Sequence, residues 1–231
     1  MNPHQILIIV TSHGVMGDTG ETTGLWFEEL ATPYYAFVDA GVEVTIASIS
    51  GDEIPIDPRS QKPIGENPAS VDRFLQDTSA SAAIANTLAV NTIDSSKYDA
   101  IFLPGGHGTM WDLPESQALA TMISQAYAED KVVAAVCHGP AGLVSATKPD
   151  GSPLVAGHQV SAFTNSEEDA MGLSETVPFM LETKLRELGA DFQGVENFEP
   201  FAVRSGKVIT GQNPDSSLLV AEKVLEALGV K

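Results

Sequence analysis

Cysteine is all but missing from this chain: Cys137 is the only one in 231 residues. A single cysteine excludes an internal disulfide framework and the small stapled folds that depend on one. Positive charge is scarce too, with 12 Lys and Arg against 31 Asp and Glu and a formal net charge of -19. A surface that negative repels phosphate backbones, so no nucleic acid is expected as a partner. No apolar run is long enough to span a bilayer, and no membrane is expected. Residues 1–5, Met-Asn-Pro-His-Gln, lack a basic region, and the apolar stretch that follows is too short for a secretory signal. The default expectation is a reducing, cytoplasmic compartment.

What remains is an α/β pattern. Short apolar runs alternate with helix-like segments, which predicts βα units on a mainly parallel sheet with helices on both faces. Strands are expected at 5–10, 42–48, 98–103, 131–136, 158–163 and 201–210. Helices are expected at 25–40, 71–91, 115–129, 139–146, 177–188 and 215–228. Between them, 50–67 turns to Gly, Asp, Ser and Gln with prolines at 55, 58 and 63, and another follows at 68. Prolines discourage helix and central strand. The segment therefore reads as a surface excursion, or in functional terms as a lid or oligomer contact at 50–68. No internal repeat or linker divides residues 1–231, and one domain is expected.

Cys137 lies in Val-Val-Ala-Ala-Val-Cys-His-Gly-Pro-Ala-Gly, where an expected strand gives way to an expected helix. At such a turn the helix dipole favours a thiolate, the useful form of a nucleophilic cysteine. The alternative is an inert core thiol, since free cysteine also behaves as a small hydrophobe. Position alone leaves both open. In an open parallel sheet, ligands bind at the carboxyl ends of strands. There the chain also places Gly105-Gly106-His107-Gly108, whose backbone N–H groups could meet a developing oxyanion. At the start of the first helix stand Glu28 and Glu29, and Glu29 falls on the apolar side with Trp26 and Leu30. Burial there would keep its carboxyl protonated. Residues 163–169 hold three acids, one of which could orient His138 in a Cys-His-acid arrangement. His4, His13, His107 and His158 show no recognisable ligand spacing, so no metal is assigned.

With these residues in view, the chain resembles the ThiJ/PfpI superfamily, whose core is flavodoxin-like and related to class I glutamine amidotransferases. The resemblance rests on Thr-Gly-Leu-Trp-Phe-Glu-Glu-Leu-Ala-Thr-Pro-Tyr-Tyr at 23–35, Asp-Ala-Ile-Phe-Leu-Pro-Gly-Gly-His-Gly-Thr-Met-Trp-Asp at 99–112 and Ala-Val-Cys-His-Gly-Pro at 135–140. Phe-Thr-Asn-Ser-Glu-Glu at 163–168 and Thr-Gly-Gln-Asn-Pro at 210–214 complete it. The branch it looks most like holds heat-shock chaperones and glutathione-independent glyoxalase III enzymes. The resemblance implies Cys137 as nucleophile, His138 as its neighbour, Glu29 as the protonated glutamate and Glu168 as the triad acid, with Glu167 the competitor. It implies an oxyanion hole from the Gly106 and His138 backbone, with Gly105, His107 and Trp111 around the substrate. It further implies a cofactor-free conversion of methylglyoxal or a related 2-oxoaldehyde to a 2-hydroxy acid, and a homodimer. Members differ in activity, so a cysteine amidase or peptidase, a holdase chaperone and an oxidation sensor stand as alternatives.

Overall fold

A strand that is apolar at nearly every position needs cover on both faces. β1 (Gln5–Val10) is buried throughout from Ile6 onward, and its residues divide by the two-residue period of a strand. Ile6, Ile8 and Val10 join Phe102, Ala134 and Ile209 in one core. Leu7 and Ile9 join Ile101, Leu103, Val133 and Val208 in the other. The computed structural model describes residues 3–230.

After β1 come α1 (Phe27–Asp39), β2 (Glu43–Ser48), α2 (Ala69–Gln76), α3 (Thr78–Ala85) and β3 (Leu88–Ala89). Then follow β4 (Ala100–Leu103), α4 (Thr109–Asp112), α5 (Gln117–Ala128), β5 (Val132–Val136) and β6 (Gln159–Val160). The chain ends with α6 (Asn165–Met171), α7 (Leu181–Glu187), β7 (Asp191–Phe192), β8 (Ala202–Ser205), β9 (Val208–Gly211) and α8 (Ser217–Leu228). Seven strands form one sheet in the order β3-β2-β1-β4-β5-β9-β8, and β6 pairs with β7 apart from it. Every pairing in the large sheet is parallel except β8 with β9. Side chains of α1, α2 and α8 fill the first core, and those of α5 and α7 fill the second. The result is a flavodoxin-like α/β sandwich. The strand order reverses between β1 and β4, which opens a crevice outside the carboxyl ends of those two strands.

Four expected elements differ. The helix at 71–91 breaks at Asp77, whose carboxylate accepts the N–H groups of Ser79 and Ala80 and starts a new helix; the stretch then closes with β3. The helix at 139–146 is a five-residue 3-10 turn, Gly139–Leu143, because Gly-Pro-Ala-Gly-Leu has two glycines and little intrinsic helix preference. The strand at 158–163 keeps only Gln159–Val160, and its later residues bond elsewhere: Ser161 N–H donates to the Thr210 hydroxyl, and Phe163 N–H to the Cys137 carbonyl. The strand at 201–210 is a hairpin, turned at Gly206 with φ +65°.

The segment at 50–68 is stitched to the approach to α1. Leu25 N–H donates to the Pro55 carbonyl (2.8 Å), and Asp57 N–H donates to the Leu25 carbonyl (2.9 Å).

Candidate active site

Cys137 follows β5 directly and has φ +59°, a region that non-glycine residues seldom occupy. Two hydrogen bonds hold it there: its N–H donates to the Gly211 carbonyl on β9 (3.0 Å), and its carbonyl accepts from Phe163 (2.9 Å). Strain of this kind persists only where surrounding structure over-determines it, and it concentrates at functional sites. The side chain points into a pocket of about 220 Å³ whose walls include Trp26, Glu29, Gly106, His107, Phe163 and Phe198.

His138 Nδ1 lies 3.3 Å from the Cys137 sulfur, and its Nε2 lies 2.7 Å from Glu168 Oε2. The carboxylate accepts, so Nε2 carries the proton and Nδ1 is left with a lone pair facing the thiol. The other oxygen of Glu168 accepts from His107 Nε2, also at 2.7 Å. One carboxylate thus holds two imidazoles, whose ring centroids are 4.2 Å apart. Burial alone would raise the Glu168 pKa, but the two imidazoles that donate to it, His138 and His107, hold it well below the usual carboxylate range. His107 is pushed the other way, down to about 4, by burial, by His138 and by the cation of Arg59. Glu167, its neighbour, is turned away. It closes a capping box with Thr164 and accepts from Gln212, Asn213 and the Phe198 N–H.

Glu29 stands in the first turn of α1 with no exposed surface. Its Oε2 accepts from Gly105 N–H (2.6 Å). Its Oε1 has no hydrogen-bond partner of good geometry, and the group it faces is the Cys137 thiol. Burial pushes this carboxyl up to about 8. The expectation that a helix dipole lowers the Cys137 pKa is overturned: burial and the adjacent Glu29 push the thiol well up, partly offset by the His138 backbone N–H. The physical reason is visible in the fold, since a five-residue 3-10 turn supplies little dipole and Cys137 is only 3% exposed.

The structure therefore brings Cys137, His138, Glu168, Glu29, Gly106 and His107 together. Two others do not take the substrate-facing places expected of them. The N–H of Gly105 is committed to Glu29, so it has no proton left for an oxyanion. Trp111 is not in the pocket wall; it stacks on His13, with ring centroids 5.2 Å apart. The sequence reading missed Phe163, Met171, Phe198 and Pro214 as pocket walls. Their only signal was apolar residues beside conspicuous polar motifs. Among the described residues, His107, His138 and Glu168 also bring ligand atoms within 4.8 Å of one another, a spacing a metal ion could use. Both Nε2–H groups already donate to the carboxylate, so a cation there would have to displace them.

Cys137, His138, Glu168 and the buried Glu29 thus form one cluster at the strand ends of a flavodoxin-like sheet. The chain belongs to the DJ-1/PfpI family, whose model matches residues 24–227. It is 33% identical over 232 residues to the glutathione-independent glyoxalase hsp3101 of Schizosaccharomyces pombe, covering 96% of this chain and 95% of that one. Among solved structures, it matches the Rapid Encystment Protein 24 KDa of Francisella tularensis with a TM-score of 0.93 and 36% identity, over 97% and 99% of the two chains. Glyoxalase III of Candida albicans matches with a TM-score of 0.88 and 29% identity, over 97% of each chain.

Proposed function

We propose that this protein is a glutathione-independent glyoxalase of the glyoxalase III type, converting methylglyoxal or a related small 2-oxoaldehyde, with water, to the 2-hydroxy acid. The observation that carries the reading is the fully buried Glu29 carboxyl in the same pocket as the Cys137 sulfur, where burial pushes its pKa up to about 8 and favours the neutral form. A hydrolase needs a base and an oxyanion site, whereas moving hydrogen between adjacent carbons needs a second group that both gives and takes protons. The names of the relatives support the same activity.

The Cys137 proton passes to His138 Nδ1 as sulfur attacks the aldehyde carbon, and Glu29 protonates the resulting oxygen to give a hemithioacetal. Glu29, now a carboxylate, removes the hydrogen on that carbon while His138 returns its proton to the neighbouring carbonyl oxygen, forming an enediol. Glu29 then protonates the second carbon as His138 takes the hydroxyl proton from the first, leaving a thioester of the 2-hydroxy acid. Water, deprotonated by Glu29, attacks the thioester, and the departing sulfur recovers its proton from His138. Each group ends as it began, and no oxidant is consumed. Backbone N–H groups of Gly106 and His138 are assigned to the oxyanions. The walls of Phe163, Phe198 and Trp26 suit a small apolar substituent on the carbonyl.

Lactate formation from methylglyoxal by reduced protein without glutathione tests the reading. Wild type turns over and Cys137→Ala does not; equal rates in the two would sink it. The homodimer and the reducing compartment expected from the sequence belong to the same proposal. Sedimentation velocity decides the first, and a catalytic free thiol suits the second. Among the described residues, no helix is long and apolar enough to cross a membrane.

A further inference from the structure

The proline-rich segment before α2 puts a cation against the catalytic cluster. Arg59 Nη2 lies 3.3 Å from His107 Nδ1. The same guanidinium is clamped by Asp57, with Nε to Oδ1 at 3.0 Å and Nη2 to Oδ2 at 2.7 Å. Asp57 is itself fully buried and accepts the Thr23 hydroxyl (2.9 Å) and the Arg59 N–H (2.9 Å). Arg59 is thus held in place from its own segment and from the approach to α1.

The chemistry of the contact is one-directional. A guanidinium has five N–H donors, no acceptor, and keeps its charge in proteins. His107 Nδ1 must therefore accept, so in the neutral ring the proton sits on Nε2, where it meets Glu168 Oε1 at 2.7 Å. The other tautomer would set a nitrogen lone pair against the carboxylate and an N–H against the guanidinium. A doubly protonated His107 would face the same cation. The first change would break the contact that holds Glu168, which must keep its second oxygen on His138, and the second would drive His107 off the guanidinium.

We propose that Arg59 is a positioning residue for the Cys137 site, locking His107 in its neutral Nε2–H tautomer so that Glu168 stays aligned on His138. The inference builds on the glyoxalase reading for its kinetic arm only.

The charged and titratable groups around this chain of contacts are few. Arg59 feels Asp57, Glu21 from the loop after β1, and Glu168 from α6. His107 feels His138, Glu168 and Arg59. Cys137 feels Glu29 from α1 and Glu167 from α6.

The test compares wild type, Arg59→Lys, Arg59→Gln and the double variant Asp57→Asn/Arg59→Gln, which avoids stranding a buried carboxylate. Imidazole nitrogen-15 NMR reads the His107 tautomer, and iodoacetamide alkylation against pH reads Cys137, with no other thiol to interfere. Neither needs the substrate. Wild type and Arg59→Lys should show His107 protonated on Nε2 alone. The two glutamine-bearing variants should show a mixture of ring states, a displaced alkylation profile, and kcat for methylglyoxal about 10- to 100-fold lower with KM little changed. An unchanged His107 tautomer and alkylation profile in the double variant would overturn the proposal, even if kcat fell, since that pattern marks a structural role. Absence of lactate formation by wild type refutes the glyoxalase reading alone, and the two spectroscopic and chemical arms still decide the role of Arg59.

Discussion

Glu29 makes the sharpest residue-level statement. Its folded-state carboxyl sits near 8 against an ordinary 4.5, so the folded protein keeps a proton that the unfolded chain releases. The stability it contributes is fully present below about pH 4.5 and is lost as pH rises through about 8. Glu29→Gln keeps an oxygen for the Gly105 N–H and can never ionise. The unfolding free energy of this variant, relative to wild type, should therefore climb between about pH 4.5 and about pH 8 and level off above. Urea titrations at several pH values measure this. The same variant loses the proton carrier, and kcat should drop by about 10²- to 10⁴-fold. A variant that gains stability at alkaline pH while losing turnover would separate the catalytic from the structural role of one side chain.

At the scale of elements, three strands of chain cross at the pocket floor: 24–26, 55–57 and 105–107. Gly106 makes the crossing feasible, with φ +97° and a position where a Cβ would lie 2.3 Å from the Gly24 carbonyl oxygen and 2.4 Å from the Trp26 nitrogen. Gly106→Ala should destabilise by roughly 2–4 kcal/mol, from strain and from backbone that cannot yield, and should weaken turnover as Glu29 shifts with α1. Chemical denaturation with parallel kinetics checks both. Such crossings explain what could and could not be read beforehand. β1, β4 and β5 were legible because each is a continuous apolar run. Glu29 was legible because helical spacing set it beside Trp26 and Leu30. The hairpin of β8 and β9 was not, since a single Gly-Lys pair separates two apolar stretches that read as one. Arg59 was invisible because nothing in Asp-Pro-Arg-Ser marks a loop residue that will reach His107 from 48 positions away. Trp111 was misplaced because the register of a four-residue helix decides its direction, and that register depends on contacts with the loop after β1.

For the molecule as a whole, charge and pocket act together. The chain carries a net charge of -19, and among the described residues no lysine or arginine lines the pocket. Neutral 2-oxoaldehydes feel no field, whereas one bearing a carboxylate is repelled on approach. Raising ionic strength shortens the Debye length from about 30 Å at 0.01 M to about 8 Å at 0.15 M. The kcat/KM for an anionic 2-oxoaldehyde should therefore rise several-fold over that range, while the value for methylglyoxal stays flat. Steady-state kinetics at two salt concentrations distinguish them.

Cys137 is also the chain's sole sulfhydryl, buried against the pocket proposed for the substrate. Every mole of thiol reagent the folded protein consumes is then a mole of reactive centres. A burst of chromophore from a disulfide reagent would count competent molecules in any preparation, so that specific activity can be expressed per working site instead of per milligram.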